Sequence, residues 1–176
     1  YLKLKNIFGN DKVAIRSSSR EEDKIHESGA GKYESILNIK IRNKKLFFKS
    51  VLFVINSYSK KKSLNQVIIQ KMITNVSMSG VIFTKDIESG NNYYVINYDD
   101  VTGKTNTVTS GAGLYSNRIL YIFRKNKNEI RSLRFKKLIE CVKELEKILD
   151  NDCLDIEYAL TNKLELYVFL VRAITT

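Results

Sequence analysis

Two groups of residues in this 176-residue chain have the types and spacing for phosphate chemistry. The first is Arg16-Ser17-Ser18-Ser19, followed by Gly29-Ala30-Gly31-Lys32 and Ser35. Arginine offers a planar fork to an oxyanion, and successive backbone N–H groups can form an anion nest. The glycines permit close backbone approach that a side chain would forbid. The plainer reading is a polar surface loop with an ordinary arginine. The second group is Asp155-Ile156-Glu157 with Arg172. Residues two apart on a strand point to one face, and a hairpin would return Arg172 to the same region. A carboxylate pair facing an arginine is what a Mg²⁺–triphosphate site requires. An exposed strand face with a salt bridge is its plainer reading.

The elements that must position these groups follow from hydrophobic periodicity. Val13 to Ile15 is a short apolar run of strand type that delivers Arg16 into a loop. Ser35 to Asn38 is expected to lead into a helix. Lys44 to Tyr58 fits a helix, with Leu46, Phe47, Val51, Val54, Ile55 and Tyr58 near helical spacing. Gln66 to Met72 is a buried-strand candidate, followed by strands at Ser79–Thr84, Tyr93–Tyr98, Lys104–Thr109 and Asn117–Phe123. Ser110 to Gly113 reads as a loop. Arg131 to Leu149 is the clearest helix. Its stripe is Leu138, Val142, Leu145 and Leu149, widened by Phe135 and Ile148. Asp155–Leu160 and Leu164–Val171 then form a hairpin across Thr161 to Lys163. The expected class is α+β, a mostly antiparallel sheet with flanking helices, in one domain spanning residues 1–176.

Composition narrows the function classes. Hydrophobic residues make up 43% and charged residues 28%, as in a globular protein. No apolar run approaches the roughly 18 residues that span a bilayer. No secretory signal is visible at the start, and a cytoplasmic location is expected. The chain opens on Tyr1, almost at the arginine strand, and reads as part of a larger enzyme. The formal charge is +11, but the lysines are scattered and Lys60-Lys61-Lys62 is the only run of three. That pattern fits a solvated face better than a nucleic-acid footprint, and a basic RNA-binding domain is the weakest of the rival readings. Cys141 and Cys153 lack metal-site spacing and are expected as buried, reduced thiols. Proline is absent, where average usage near 5% would give about nine.

The same residues carry a family resemblance. Val13-Ala-Ile-Arg-Ser-Ser-Ser-Arg-Glu-Glu-Asp23 and Ser28-Gly-Ala-Gly-Lys-Tyr-Glu-Ser-Ile-Leu-Asn-Ile39 resemble two linked motifs, V-A-V-R-S-S-A-x-x-E-D and S-F-A-G-Q-x-E-T-x-L-N-V. Ser79-Gly-Val-Ile-Phe-Thr-Lys-Asp86 resembles S-G-V-x-F-T-R-D-P. Asp155-Ile-Glu-Tyr-Ala159 with Leu166-Tyr-Val-Phe-Leu-Val-Arg-Ala-Ile-Thr175 resembles D-I-E-(F/W)-A followed by L-Y-x-L-Q-x-R-P-I-T. These blocks, in this order, are those of the nucleotide-binding domain of phosphoenolpyruvate synthase and pyruvate phosphate dikinase, an ATP-grasp relative.

The resemblance implies an ATP-grasp-like fold, with ATP and Mg²⁺ as cofactors. Arg16 and Arg172 would be the catalytic candidates, both meeting phosphate. Gly31, Lys32 and Ser35 would cover the phosphates, and Asp155 and Glu157 would face the metal, Glu157 also touching nucleotide. Gln70 and Met72 would lie where the adenine is held. ATP would phosphorylate a histidine on a separate swivelling domain of the same polypeptide, and a further domain would bind a small acceptor, leaving AMP and phosphate. Several positions depart from the family pattern. A metal-side glutamine is Leu170, another glutamine is Lys32, and two motif prolines are Ile87 and Ala173. The gap from Glu157 to Arg172 is one residue longer, an excess expected in the 160–164 turn. The G-L-G-E segment is missing, and the Gly-Gly-Lys lid and the phosphoacceptor histidine lie outside the chain. His26 matches no such motif and is expected to be a solvent-exposed loop residue. Pyruvate is the usual acceptor. The divergent central block points toward the design of bacterial L-glutamine kinases, which phosphorylate an amide nitrogen in capsule biosynthesis. Leu170 also motivates a rival, a degenerate nucleotide-binding regulatory module.

Overall fold

Val13, Ala14 and Ile15 are all buried, and Arg16, Ser17 and Ser18 after them are half-buried. Three buried residues in succession show a strand covered on both faces before it reaches Arg16. The computed structural model describes residues 1–18, 35–58, 65–105, 108, 118–125 and 130–174. It divides into two units, Tyr1–Ile73 and Thr74–Thr176.

The first unit contains α1 (Leu2–Phe8), β1 (Lys12–Ser18), β2 (Ser35–Lys40), α2 (Lys44–Asn56) and β3 (Gln66–Lys71). The strands form an antiparallel sheet in the order β2-β1-β3. Val13, Ile15, Ile39, Ile41, Phe47 and Val54 make its core, with Ile36, Val67 and Ile69 packed on it. Asn43 caps α2, its side-chain oxygen accepting from Leu46 N at 3.1 Å. Tyr58, just beyond α2, ties the sheet's end together. Its hydroxyl accepts from Ser18 N at 2.9 Å and donates to Gln66 O.

Two expectations fail here. Ser35–Lys40 is a strand, not a lead into a helix. Its helix-like apolar spacing comes from a register shift: Asn38 takes a positive φ of 63° and lets Ile36 and Ile39 both face inward. Gln66–Lys71 is an edge strand that alternates half-buried and exposed, not a buried one. The short helix α1 had no clear signal beforehand.

The second unit contains β4 (Val76–Phe83), β5 (Tyr93–Asp99), β6 (Arg118–Phe123), α3 (Leu133–Leu149), β7 (Leu154–Thr161) and β8 (Leu166–Ala173). Its sheet is antiparallel throughout, in the order β6-β5-β4-β7-β8. Met78, Ile82, Tyr94, Ile96, Leu154, Ile156, Tyr158 and Leu160 turn one face into a core with Leu138, Ile139 and Val142 of α3. Ile148 and Leu149 are exposed, so the stripe expected along the helix stops at Leu145, and Ile139 takes up the packing. Lys104 and Thr105 lie outside any strand, and the rest of the expected 104–109 strand falls almost wholly outside the described residues. Cys141 and Cys153 are free but half-buried rather than buried. The α+β class, with mostly antiparallel sheets and flanking helices, stands as expected.

Candidate functional site

The first unit's chemistry lies on the sheet face turned away from α2. Strand pairing places Arg16 directly opposite Ser35 on one side and Ile68 on the other. Gln70 pairs with Ala14, two residues before Arg16 and on the same face. Three residues read from sequence as candidates, Arg16, Ser35 and Gln70, therefore share one surface. Arg16 is half-buried, whereas Ser35 and Gln70 are exposed. Met72 follows the strand and its N–H donates to Lys12 O at 2.8 Å. Gly31, Lys32 and His26 lie outside the described residues.

The second unit's chemistry lies on the face opposite α3. Asp155 pairs with Phe83 and Arg172, and Glu157 pairs with Val81 and Leu170. Both carboxylates thus leave β7 on one side. Arg172 donates to Asp155 Oδ2 from Nε at 2.9 Å and from Nη2 at 2.7 Å. Asp155 is 8% exposed, and its other oxygen, Oδ1, is buried with no hydrogen-bond partner. Glu157 is half-buried. The register shift of the hairpin falls between Glu157 and Tyr158, where Phe169 is the extra residue on β8. The turn itself is closed by ordinary bonds, Leu164 N to Thr161 O at 2.9 Å and Thr161 N to Glu165 O at 3.0 Å. The β8 strand thus carries a one-residue bulge beside Glu157.

The Ser79-Gly-Val-Ile-Phe-Thr84 block builds this face rather than supplying ligands. Ser79 is fully buried, and its hydroxyl donates to Lys104 O at 2.6 Å. A Cβ on Gly80 would stand 2.0 Å from the carbonyl oxygen of Asn97, so only glycine lets β4 and β5 pair here. Thr84 Oγ1 donates to Asp152 O and accepts from Leu154 N, both at 2.6 Å, which fixes the start of β7 one residue before Asp155. Behind the sheet, Arg124 lies 4.6 Å from the Tyr94 ring centre and pairs with Glu146. Burial, and next the Glu146 carboxylate, push the Tyr94 hydroxyl up to about 12. Burial also raises the Tyr158 hydroxyl and the Cys141 thiol.

Among the described residues, no group of three or more His, Cys, Asp or Glu side chains is placed to hold a metal ion. No helix among them is long and apolar enough to cross a membrane. Sequence reasoning missed two polar residues. Tyr58 fits the helix stripe in sequence, but its hydroxyl joins Ser18 N and Gln66 O. Asn97 is half-buried on the face of Asp155 and Glu157, with its Oδ1 buried and unpartnered. Only its polar character within the apolar run Tyr93–Tyr98 could have marked it.

Two antiparallel sheets, one presenting an arginine–serine pair and the other a carboxylate pair with an arginine, define an α+β protein. A family model described as pyruvate phosphate dikinase, AMP/ATP-binding domain, matches residues 1–113. The chain belongs to that family. The matched span holds the Arg16 and Ser79–Asp86 blocks, and the β7–β8 hairpin lies beyond it. No curated protein matches the sequence.

Proposed function

We propose that this chain is the ATP-binding part of a dikinase-like phosphotransferase, using ATP with Mg²⁺ to phosphorylate a histidine on a separate swivelling domain. A small acceptor, pyruvate or the amide of L-glutamine, then takes a phosphoryl group, and AMP and phosphate are the other products. Membership in the AMP/ATP-binding family supports the nucleotide. The observation that carries the reading furthest is the Asp155–Arg172 pair with Glu157 on the same face.

Phosphoryl transfer asks for positioning and charge neutralisation. In this reading Arg16, Gly31, Lys32 and Ser35 meet the phosphates, and Gln70 and Met72 meet the adenine. Arg172 supplies positive charge to the phosphate end and holds Asp155 in place. Asp155 and Glu157 would hold Mg²⁺, which would supply positive charge against the phosphates. Mg²⁺ commonly uses one or two carboxylates plus phosphates and water, so two carboxylates suffice, and the unpartnered Asp155 Oδ1 is an acceptor that fits a cation. A cytoplasmic location and domain partners within one polypeptide belong to the same proposal.

Leu170 favours a second reading, a nucleotide-binding module without transfer, because it flanks Glu157 with a side chain that cannot bind metal. One experiment separates them. The full-length enzyme is incubated with ATP, Mg²⁺ and either pyruvate or L-glutamine, and followed by ³¹P NMR. AMP and phosphate appearing with one acceptor support transfer and name the substrate. ATP binding without turnover supports the module.

A further inference from the structure

β6 is a sheet edge that lacks the features by which edges avoid other strands. Among the described residues it pairs only with β5, and that pairing runs from Arg118 to Phe123 without a register shift. The strand holds no proline and no lysine, and its one charge, Arg118, stands at its end. Edges are usually blunted by such residues or by bulges, and the opposite edge, β8, carries its bulge beside Glu157. β6 is instead apolar on both sides. Leu120 and Ile122 pack on the α3 core, while Ile119, Tyr121 and Phe123 stand on the other face, 53%, 54% and 44% exposed. Tyr93 joins them, its ring centre 6.3 Å from that of Tyr121 and 5.3 Å from that of Phe123.

The strand is complementary to itself. An antiparallel copy centred on Tyr121 sets Tyr121 against the partner's Tyr121, Ile119 against the partner's Phe123 and Leu120 against the partner's Ile122. In that register each face of one sheet continues the same face of the other. Every one of these pairs is apolar or aromatic, the kind that stabilises adjacent strands. At the ends Arg118 meets the partner's Arg124, but each arginine has its own counter-ion: Arg118 bonds to Asp100 and Arg124 to Glu146. Charge also selects this unit for self-association. Within Thr74–Thr176 the basic residues outnumber the acidic ones by one, so nearly all of the formal charge of +11 lies in Tyr1–Ile73. Two copies meeting through the near-neutral unit escape most of the repulsion between like-charged molecules.

We infer that β6 is a dimerisation strand, pairing antiparallel with β6 of a second copy of this chain about a twofold axis through Tyr121. Closed twofold pairing is the commonest form of self-assembly. It occupies the backbone edge of β6 and covers the Tyr93–Tyr121–Phe123 cluster. Tyr121, Val95, Phe83, Asp155 and Arg172 form one row across the five strands. The Asp155–Arg172 end of that row is the far edge, so the pairing leaves both copies' carboxylate faces uncovered and on the same side of the joined sheet.

The test uses the full-length enzyme carrying Cys141→Ser and Cys153→Ser, studied by sedimentation velocity and by mild oxidation with mass spectrometry of the linked peptides. Residues directly opposite on antiparallel strands have Cα atoms about 4.5–5.5 Å apart, within disulfide reach. Tyr121→Cys, on the axis, is therefore expected to link to its own copy. Ile119→Cys alone is not, because its two copies stand roughly 14 Å apart; Ile119→Cys combined with Phe123→Cys restores the link. Tyr121→Lys sets two like charges face to face, and loss of the dimer is expected. A monomer whose introduced thiol at 121 reacts with maleimide overturns the inference. A monomer in which that thiol is protected also overturns it and assigns the strand to another segment of the polypeptide. A dimer that forms no link at 121 and survives Tyr121→Lys places assembly on another surface. Equal self-linking at 119 and 121 reports random collision and overturns the register.

Discussion

Arg172 donates both of its hydrogen bonds to the same carboxylate oxygen of Asp155, at 2.9 and 2.7 Å, and leaves the other oxygen buried and unpartnered. A purely structural ion pair would gain by using both oxygens. The one-sided arrangement keeps an acceptor in reserve on the face that also carries Glu157. Replacing Arg172 with Met strands a mostly buried carboxylate, at a cost of about 1–3 kcal/mol. Adding Asp155→Asn should return most of that stability, because the stranded charge is gone. It should not return ATP turnover by the full-length enzyme. Denaturant unfolding and phosphate release measured on the same three proteins check this. Recovered turnover in the double variant would assign the pair to stability alone.

Thr84 holds the start of β7 with one hydroxyl that both donates and accepts. Thr84→Val keeps the shape and removes both bonds, leaving Leu154 N unpaired. The expected loss is about 1–3 kcal/mol. Faster hydrogen exchange should be confined to the Leu154 and Asp155 amides and their neighbours. Unchanged exchange there would mean that β7 is positioned by its ladder alone.

Gly80→Ala forces β5 away from β4, because the new methyl would meet backbone rather than a flexible side chain. A destabilisation of about 2 kcal/mol or more is expected. Val81→Ala, next to it, should cost less, since its loss is one of apolar contact on a face that carries polar groups. Thermal unfolding of the two variants checks the order.

Tyr94 gives the fold an alkaline limit. Its hydroxyl ionises near 10 when unfolded and at about 12 when folded. The raised value means that its contribution is complete below pH 10 and is lost as pH rises from 10 to 12. Tyr94→Phe removes this titration and also the bond donated to Glu146 at 3.2 Å. The variant should be less stable at pH 8 by about 1 kcal/mol and should show a shallower decline from pH 10 to 12. An unfolding-midpoint profile parallel to wild type across that range would contradict the assignment.

The strands and helices with strong periodicity were legible in the sequence: β5, β6, α2, α3 and the β7–β8 hairpin all lie close to their expected spans. The same-face placement of Asp155 and Glu157 followed from strand alternation alone, and the return of Arg172 from the hairpin. What was hidden is what depends on long-range pairing. Nothing local shows that Ser35 lies opposite Arg16, or that Asn97 shares a row with Glu157. Nor could periodicity find β2, because the left-handed Asn38 disguises a strand as a helical repeat. The Ser79–Thr84 motif was legible as a block but not in its roles. Its serine, glycine and threonine tie backbone segments together, a task visible only once Lys104, Asn97 and Leu154 are in place.

We propose that the Asp155–Glu157 face serves nucleotide chemistry. Its most direct test is AMP formation from ATP and Mg²⁺ by the full-length enzyme carrying Glu157→Gln, with Lys163→Ala in the hairpin turn as the control. Glu157→Gln should lose roughly 10–100-fold or more of the wild-type rate, while Lys163→Ala keeps it. A Glu157→Gln enzyme forming AMP at the wild-type rate would remove this face from the chemistry.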